Sequence, residues 1–260
     1  MKVRDIIAVL DEFAPEGIQE KWDNSGLQIG SPDQEVHGVL IALDCTVSLV
    51  REALSRGCDM LVTHHPLIFG GLRSIRPEDP VGAAVIEAVK GGVAVYSAHT
   101  NADKVPDGVS GAMAKRLGLT NLRILHEDAP GVGLGVVGDL PLPLPSEEAL
   151  ELVKRAFGLP VLRHSRPVEG PVSTVALCGG SGSSLIEDAI AAGAQMYVCG
   201  DISYHHFFAP QGIMLADAGH FETEVDIVEI FYGILRKKFP TFALLISQDI
   251  KTANPVRYKL

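Results

Sequence analysis

Apolar residues recur at helical spacing at the start of the chain, at Val3, Ile6, Ile7, Leu10 and Phe13, and Pro15 closes the run. That spacing predicts an amphipathic helix. The pattern then shortens. Residues 39–44 form a continuous apolar run ending in Asp44, and residues 60–63 form another that leads into His64-His65-Pro66. Short apolar runs rich in β-branched residues predict strands buried on both faces. Between them, residues 47–56 predict a helix closed by Gly57. A loop over 66–80, a helix over 81–90 and a strand over 93–98 come next, and that strand runs into His99-Thr100-Asn101-Ala102-Asp103. Asp107 precedes a helix through Leu117, with Gly118 behind it.

The middle of the chain is less regular. Residues 122–144 carry Gly133, Gly135 and Gly138 among several prolines and predict strands and a linker. Pro145-Ser146-Glu147-Glu148 signals a helix start, and the helix runs to Phe157. Strands are predicted at 161–162, 174–177, 196–198 and 213–216, with a helix over 183–192. A long helix over 223–237 and a strand over 242–246 follow. This order repeats itself. The segment 57–65 aligns with 193–201 at an offset of 136, and 92–99 aligns with 212–219 at an offset of 120. The long 66–80 loop accounts for the difference, so an internal duplication is expected, with a first α/β repeat over 1–125 and a second over 126–260.

Charge narrows the function. The chain carries 22 Lys and Arg against 32 Asp and Glu, a net charge of −10. That balance argues against binding the phosphates of long nucleic acids, but not against a nucleotide held through a metal. The four cysteines form no C-x-x-C pair, which suits a reducing compartment. No apolar run reaches the ~18 residues of a membrane span, and the first residues open an amphipathic segment, so a cytoplasmic protein with no membrane partner is expected.

Five residues at or just beyond strand ends carry the candidate chemistry: His64, His65, Asp103, His220 and Glu224. Imidazole and carboxylate together suit Zn, Mn, Fe or Ni better than Ca or Mg. His220 and Glu224, four apart on a helix, face the same side. Two metals a few ångströms apart would use all five donors, with Asp103 as the bridge. An isolated histidine pair is more often structural, and the strand-end position is what raises these two. His205 and His206 support a ligand, act as a general acid–base pair, or cap a short helix. Asp44 orients a histidine or caps the next helix. His99 reads as a hydrogen-bonding scaffold residue. His37, His126 and His164 read as ordinary. Trp22, the only tryptophan, packs the Asp23-Asn24 turn or lines a pocket.

Six segments together resemble the GTP cyclohydrolase I type 2 homologues, the Nif-three-like family. They are Trp22-Asp23-Asn24-Ser25-Gly26-Leu27, Leu43-Asp44-Cys45-Thr46, residues 63–69 around His64-His65-Pro66, residues 97–103, residues 200–205 and residues 217–224. Ser25 stands where a small apolar residue is usual, and Glu222 is an unusual filler. The resemblance implies an α/β fold of two intertwined α-β-(βα)3 repeats with mixed sheets around a shared metal site. It implies a toroidal homohexamer and two divalent metal ions per subunit. It places His64, His65, Asp103, His220 and Glu224 on the metals. A metal-dependent hydrolase of a small molecule, such as a nucleotide or related heterocycle, is the expected function. The alternative is a non-catalytic, metal-binding regulatory or interaction protein that forms a ring.

Overall fold

The computed structural model describes residues 1–208, 212–248 and 253–259. In chain order the elements are α1 (Val3–Phe13), β1 (Gly26–Ile29), β2 (Gly38–Ala42), α2 (Val47–Ser55), β3 (Met60–Thr63), α3 (Pro80–Gly91), β4 (Ala94–Ser97) and a single turn, α4 (Thr100–Asp103). Next come α5 (Val109–Leu117), β5 (Thr120–Ala129), β6 (Val132–Leu144), α6 (Ser146–Phe157), β7 (Arg163–His164), β8 (Val172–Ser181), α7 (Ile186–Ala191) and β9 (Met196–Gly200). The chain ends with β10 (Met214–Asp217), α8 (His220–Glu224), α9 (Ile227–Lys238) and β11 (Ala243–Ile246).

These elements sort into two compact units, Met1–Ala102 with Ile227–Pro255, and Asp103–Asp226 with Val256–Leu260. The chain thus leaves the first unit after Ala102, builds the second, returns to the first at Ile227 and passes again to the second at Val256. The first unit holds a five-stranded sheet in the order β1-β4-β3-β2-β11. β2, β3 and β4 are parallel, β11 adds parallel to β2, and β1 runs antiparallel to β4. Leu40, Leu61 and Val95 from the sheet pack with Val50 and Ala53 of α2 and Ala84 and Ala88 of α3. Every residue of β2, β3 and β4 is buried, as their unbroken apolar runs require.

The second unit holds a six-stranded sheet in the order β5-β6-β8-β9-β10-β7. Its heart repeats the first sheet in register. Val39 pairs with Met60 and Met60 with Ala94; Val175 pairs with Met196 and Met196 with Met214. β7 lies antiparallel to β10 as β1 does to β4. The duplication read from two aligned segments thus extends to four strands.

Three expectations change. Residues 122–144 are no linker but the long hairpin of β5 and β6. A Cβ on Gly133 would sit 2.0 Å from the His126 carbonyl oxygen, so this glycine lets the two strands close rather than loosening the chain. The helix expected over 223–237 is two helices, α8 and α9. Thr223 turns its hydroxyl back onto the Gly219 and His220 carbonyls at 2.9 and 2.8 Å, local bonding that keeps α8 short. The segment 183–192 opens as a 3-10 turn, Ser183–Leu185, before α7. Among the described residues no helix is long and apolar enough to cross a membrane.

Candidate metal centres

In the first unit, β3 ends at Thr63 and the chain turns at once. The backbone N–H groups of His64 and His65 both donate to the Leu43 carbonyl, at 3.1 and 2.9 Å. The hydroxyls of Thr63 and Ser97 donate to the His65 carbonyl at 2.8 and 3.2 Å. The backbone of the pair is therefore fixed before its rings find partners. The His64 Nδ1 lies 2.9 Å from the Ala98 carbonyl oxygen, and the His64 side chain is fully buried. A carbonyl only accepts, so Nδ1 carries the proton and Nε2 of the neutral ring keeps its lone pair. The His65 Nδ1 lies 2.7 Å from Asp44 Oδ1, and the His99 Nδ1 lies 2.8 Å from Asp23 Oδ1. The same tautomer follows for both. One ring nitrogen from each of His64, His65 and His99 falls within 4.8 Å of the others.

Two open questions close here. Asp44 orients His65, while the N-cap of α2 is Thr46, which accepts from the Leu49 N–H. His99 is held by a hydrogen bond, as expected, but it also joins the cluster. Its anchor Asp23, whose side chain is buried, also accepts from the Thr100 hydroxyl and backbone N–H. Burial alone would push the Asp23 carboxyl up. The hydrogen bonds from His99 and Thr100 outweigh it and hold the group well below the usual carboxylate range. Nothing local in the sequence links Asp23 to His99, 76 residues away.

In the second unit, β10 delivers His220 to the start of α8. Its Nδ1 lies 2.7 Å from Asp201 Oδ2, and its Nε2 lies 3.0 Å from Glu224 Oε2 one turn on. Asp201 takes a left-handed backbone, φ 55°, to present its carboxylate, a conformation Asp tolerates better than most residues. The Glu224 side chain is buried, and two glycines make room for this arrangement. A Cβ on Gly180 would meet Glu224 Oε1 at 2.0 Å, and one on Gly200 would meet the His220 backbone at 2.8 Å. Burial, then the charges of Asp103, Cys199 and Glu224, drive the Cys178 thiol well above its ordinary range. Asp103 and Glu224 are thus close enough to act on one buried thiol. His205 and His206 stand exposed on a 3-10 turn, Tyr204–Phe207, with His206 Nδ1 3.0 Å from the Ser203 hydroxyl.

A carboxylate on Nδ1 is not by itself diagnostic. His37 pairs with Asp59 and His126 with Asp188 in the same way on the surface. What sets the candidates apart is convergence at strand ends with partial or full burial. Imidazoles anchored through Nδ1, together with carboxylate oxygens, are the donor set of a borderline divalent ion. The residues present fit such a metal.

The model of the family Duf34/NIF3 (NGG1p interacting factor 3) matches residues 1–254. A Clostridium acetobutylicum protein described as a GTP cyclohydrolase 1 type 2 homolog is 32% identical, covering 100% of this chain and 99% of its own. A Streptomyces coelicolor protein of the same description is 37% identical over 86% of this chain and 81% of its own. Among solved structures, Staphylococcus aureus protein SA1388 superposes with a TM-score of 0.89 at 26% identity, over 100% of this chain and 99% of that one. Reduced HcgD from Methanocaldococcus jannaschii superposes with a TM-score of 0.81 at 29% identity, over 95% of this chain and 98% of that one. With residues 1–254 matched by the family model and most of the chain by relatives and fold alike, the chain is a member of the Duf34/NIF3 family.

Proposed function

We propose that this protein holds two divalent metal ions per chain and hydrolyses a small molecule, a nucleotide or a related nitrogen heterocycle. The ligands are His64, His65, Asp103, His220 and Glu224. The observation that carries the reading is the common anchoring of the imidazoles. His64, His65 and His220 each fix Nδ1 on a carbonyl or carboxylate, which sets the tautomer in which Nε2 can serve as a ligand atom. When bound, a Zn, Mn, Fe or Ni pair supplies Lewis acidity and acidifies a water.

The chain's own part is orientation and proton handling. Asp44 and Asp201 hold His65 and His220 in one tautomer and raise their basicity as ligands. Burial of Glu224 keeps its carboxylate ordered against Gly180. His205 and His206, in the solvent, carry protons to and from the substrate. The subunits assemble as a homohexameric ring. The relatives' description names GTP, which makes it the first compound to assay. Elemental analysis of the purified protein should return two equivalents of metal per chain, and a metal-replete hydrolase screen that includes GTP should find turnover that a chelator abolishes. Stoichiometric metal with no turnover across the screen would leave the non-catalytic ring protein as the correct reading.

A further inference from the structure

Beside the first histidine cluster the chain exposes two large aromatic rings. Trp22 is 59% exposed and Phe69 is 55% exposed. Their centroids are 5.7 Å apart and the planes are tilted by 41°. At that separation they touch each other, so nothing fits between them, and both remain more than half exposed. Both stand edge-on to His99, at 6.2 Å for Trp22 and 5.7 Å for Phe69. His99 in turn lies 5.2 Å from His64 and 5.5 Å from His65. Aromatic rings therefore run without a break from the buried His64 to solvent.

The surface is built rather than accidental. Phe69 lies in the segment that leaves the histidine pair through Pro66. Asn24 Nδ2 donates to the Ile68 carbonyl at 2.6 Å, and the Ile68 N–H donates to Gln28 Oε1 at 3.2 Å. Asp23, next to Trp22, is locked to His99 and Thr100. The two segments that carry the rings are thus pinned to each other and to the cluster. Leaving two such rings half exposed forgoes much of the stabilisation their burial offers. A rigid pair of outward π faces next to nitrogen ligands suits a flat ring that stacks and points a polar edge at the cluster.

We propose that Trp22 and Phe69 form a stacking platform that seats a planar nitrogen heterocycle of nucleobase size beside His64, His65 and His99. The proposal rests on the metal-hydrolase reading and names the part of the substrate that reading leaves open. Aliphatic substrates of equal charge gain nothing from such a surface, so the platform selects for the ring.

The sole tryptophan makes the test direct. The full chain, both metal-loaded and chelator-treated, is titrated with GMP, AMP and CMP, and with ribose 5-phosphate as the ring-less control. Trp22 emission is excited where the bases do not absorb. Saturable quenching by at least one of the nucleotides, and none by ribose 5-phosphate, is expected. Phe69→Ala should weaken that nucleotide at least about fivefold, as loss of a stacking partner does. Trp22→Phe should bind it nearly as wild type by equilibrium dialysis, and Trp22→Ala should not, with metal content unchanged in all three. Absence of quenching by every nucleotide would overturn the platform. So would Phe69→Ala variants that bind the nucleotide normally but change the oligomer mass, which would make the rings an assembly contact. A protein that quenches but holds no metal would sink the proposed function and leave the platform standing.

Discussion

The two units run one strand plan to opposite ends. Counting by the repeat, His65 after β3 corresponds to Asp201 after β9, an offset of 136. In the first unit that position supplies the imidazole, and Asp44 holds it at 2.7 Å. In the second it supplies the carboxylate, which holds His220 at 2.7 Å. His64 counts to Gly200 and Asp44 to Gly180, and both glycines are kept bare so that α8 can approach. The first unit therefore places donors on the strand ends, and the second clears its strand ends to admit donors from a helix. The imidazole–carboxylate pair survives, with its partners exchanged. A duplicated scaffold conserves where chemistry is placed more firmly than which residue performs it.

Removing a donor should break this comparison most visibly. His65→Ala and His220→Ala should each weaken metal retention by more than about 100-fold, beyond the range for losing a supporting partner, measured by competition with a chromogenic chelator. Equal losses would show that the two units contribute as equals. Gly180→Ala comes next. Its Cβ would displace the Glu224 carboxylate, and the left-handed φ of 59° adds strain. About 10- to 100-fold weaker metal binding is expected. Gly193→Ala is the control, with φ 75° and open space at the Cβ. It should cost about 1–2 kcal/mol of stability and leave the metal in place.

Asp44→Asn and Asp201→Asn sharpen the exchange of roles, and each should cost about tenfold in metal affinity. A loss from one and not the other would mean that only one pair is poised for a ligand. Asp23→Asn should leave metal content nearly unchanged and lower the stability of the fold by about 2–3 kcal/mol, because it breaks a buried charged hydrogen-bond network, readable as a drop in Tm. The sign with pH follows. Asp23 titrates lower in the folded protein than unfolded, so its stabilisation is complete at neutral pH. It fades as pH falls below the ordinary carboxylate range toward the lowered value. Asp23→Asn should flatten that acid limb of the stability profile. The smallest effect belongs to Cys45. Its thiol is pushed up to about 12 by burial and the Asp44 charge, so native protein at neutral pH should resist alkylation there.

Much of this was legible along the chain. The boundaries of β3, α6 and the strand-end histidines follow from local pattern, because an apolar run and a helix start are written in adjacent residues. His220 and Glu224 pair at 3.0 Å, as i and i+4 on a helix should. What the pattern did not carry is long-range pairing. Nothing near residue 243 points to β2, where Leu244 sits opposite Val39. Nothing near Trp22 announces that its neighbour Asp23 anchors His99. In the 122–144 segment Gly133 serves close packing, and a missing side chain looks the same in sequence whether it frees the backbone or admits another strand.

The return of the chain to its first sheet has a consequence for biosynthesis. β11 completes that sheet beside β2, and α9 packs against α1. A ribosome that has released residues up to 226 has made every strand of the second sheet but not the last strand of the first. Until β11 arrives, the outer edge of β2 is bare, a template for any passing strand. The first sheet is therefore completed after the second, and a nascent chain stalled before β11 is the species that most needs a chaperone.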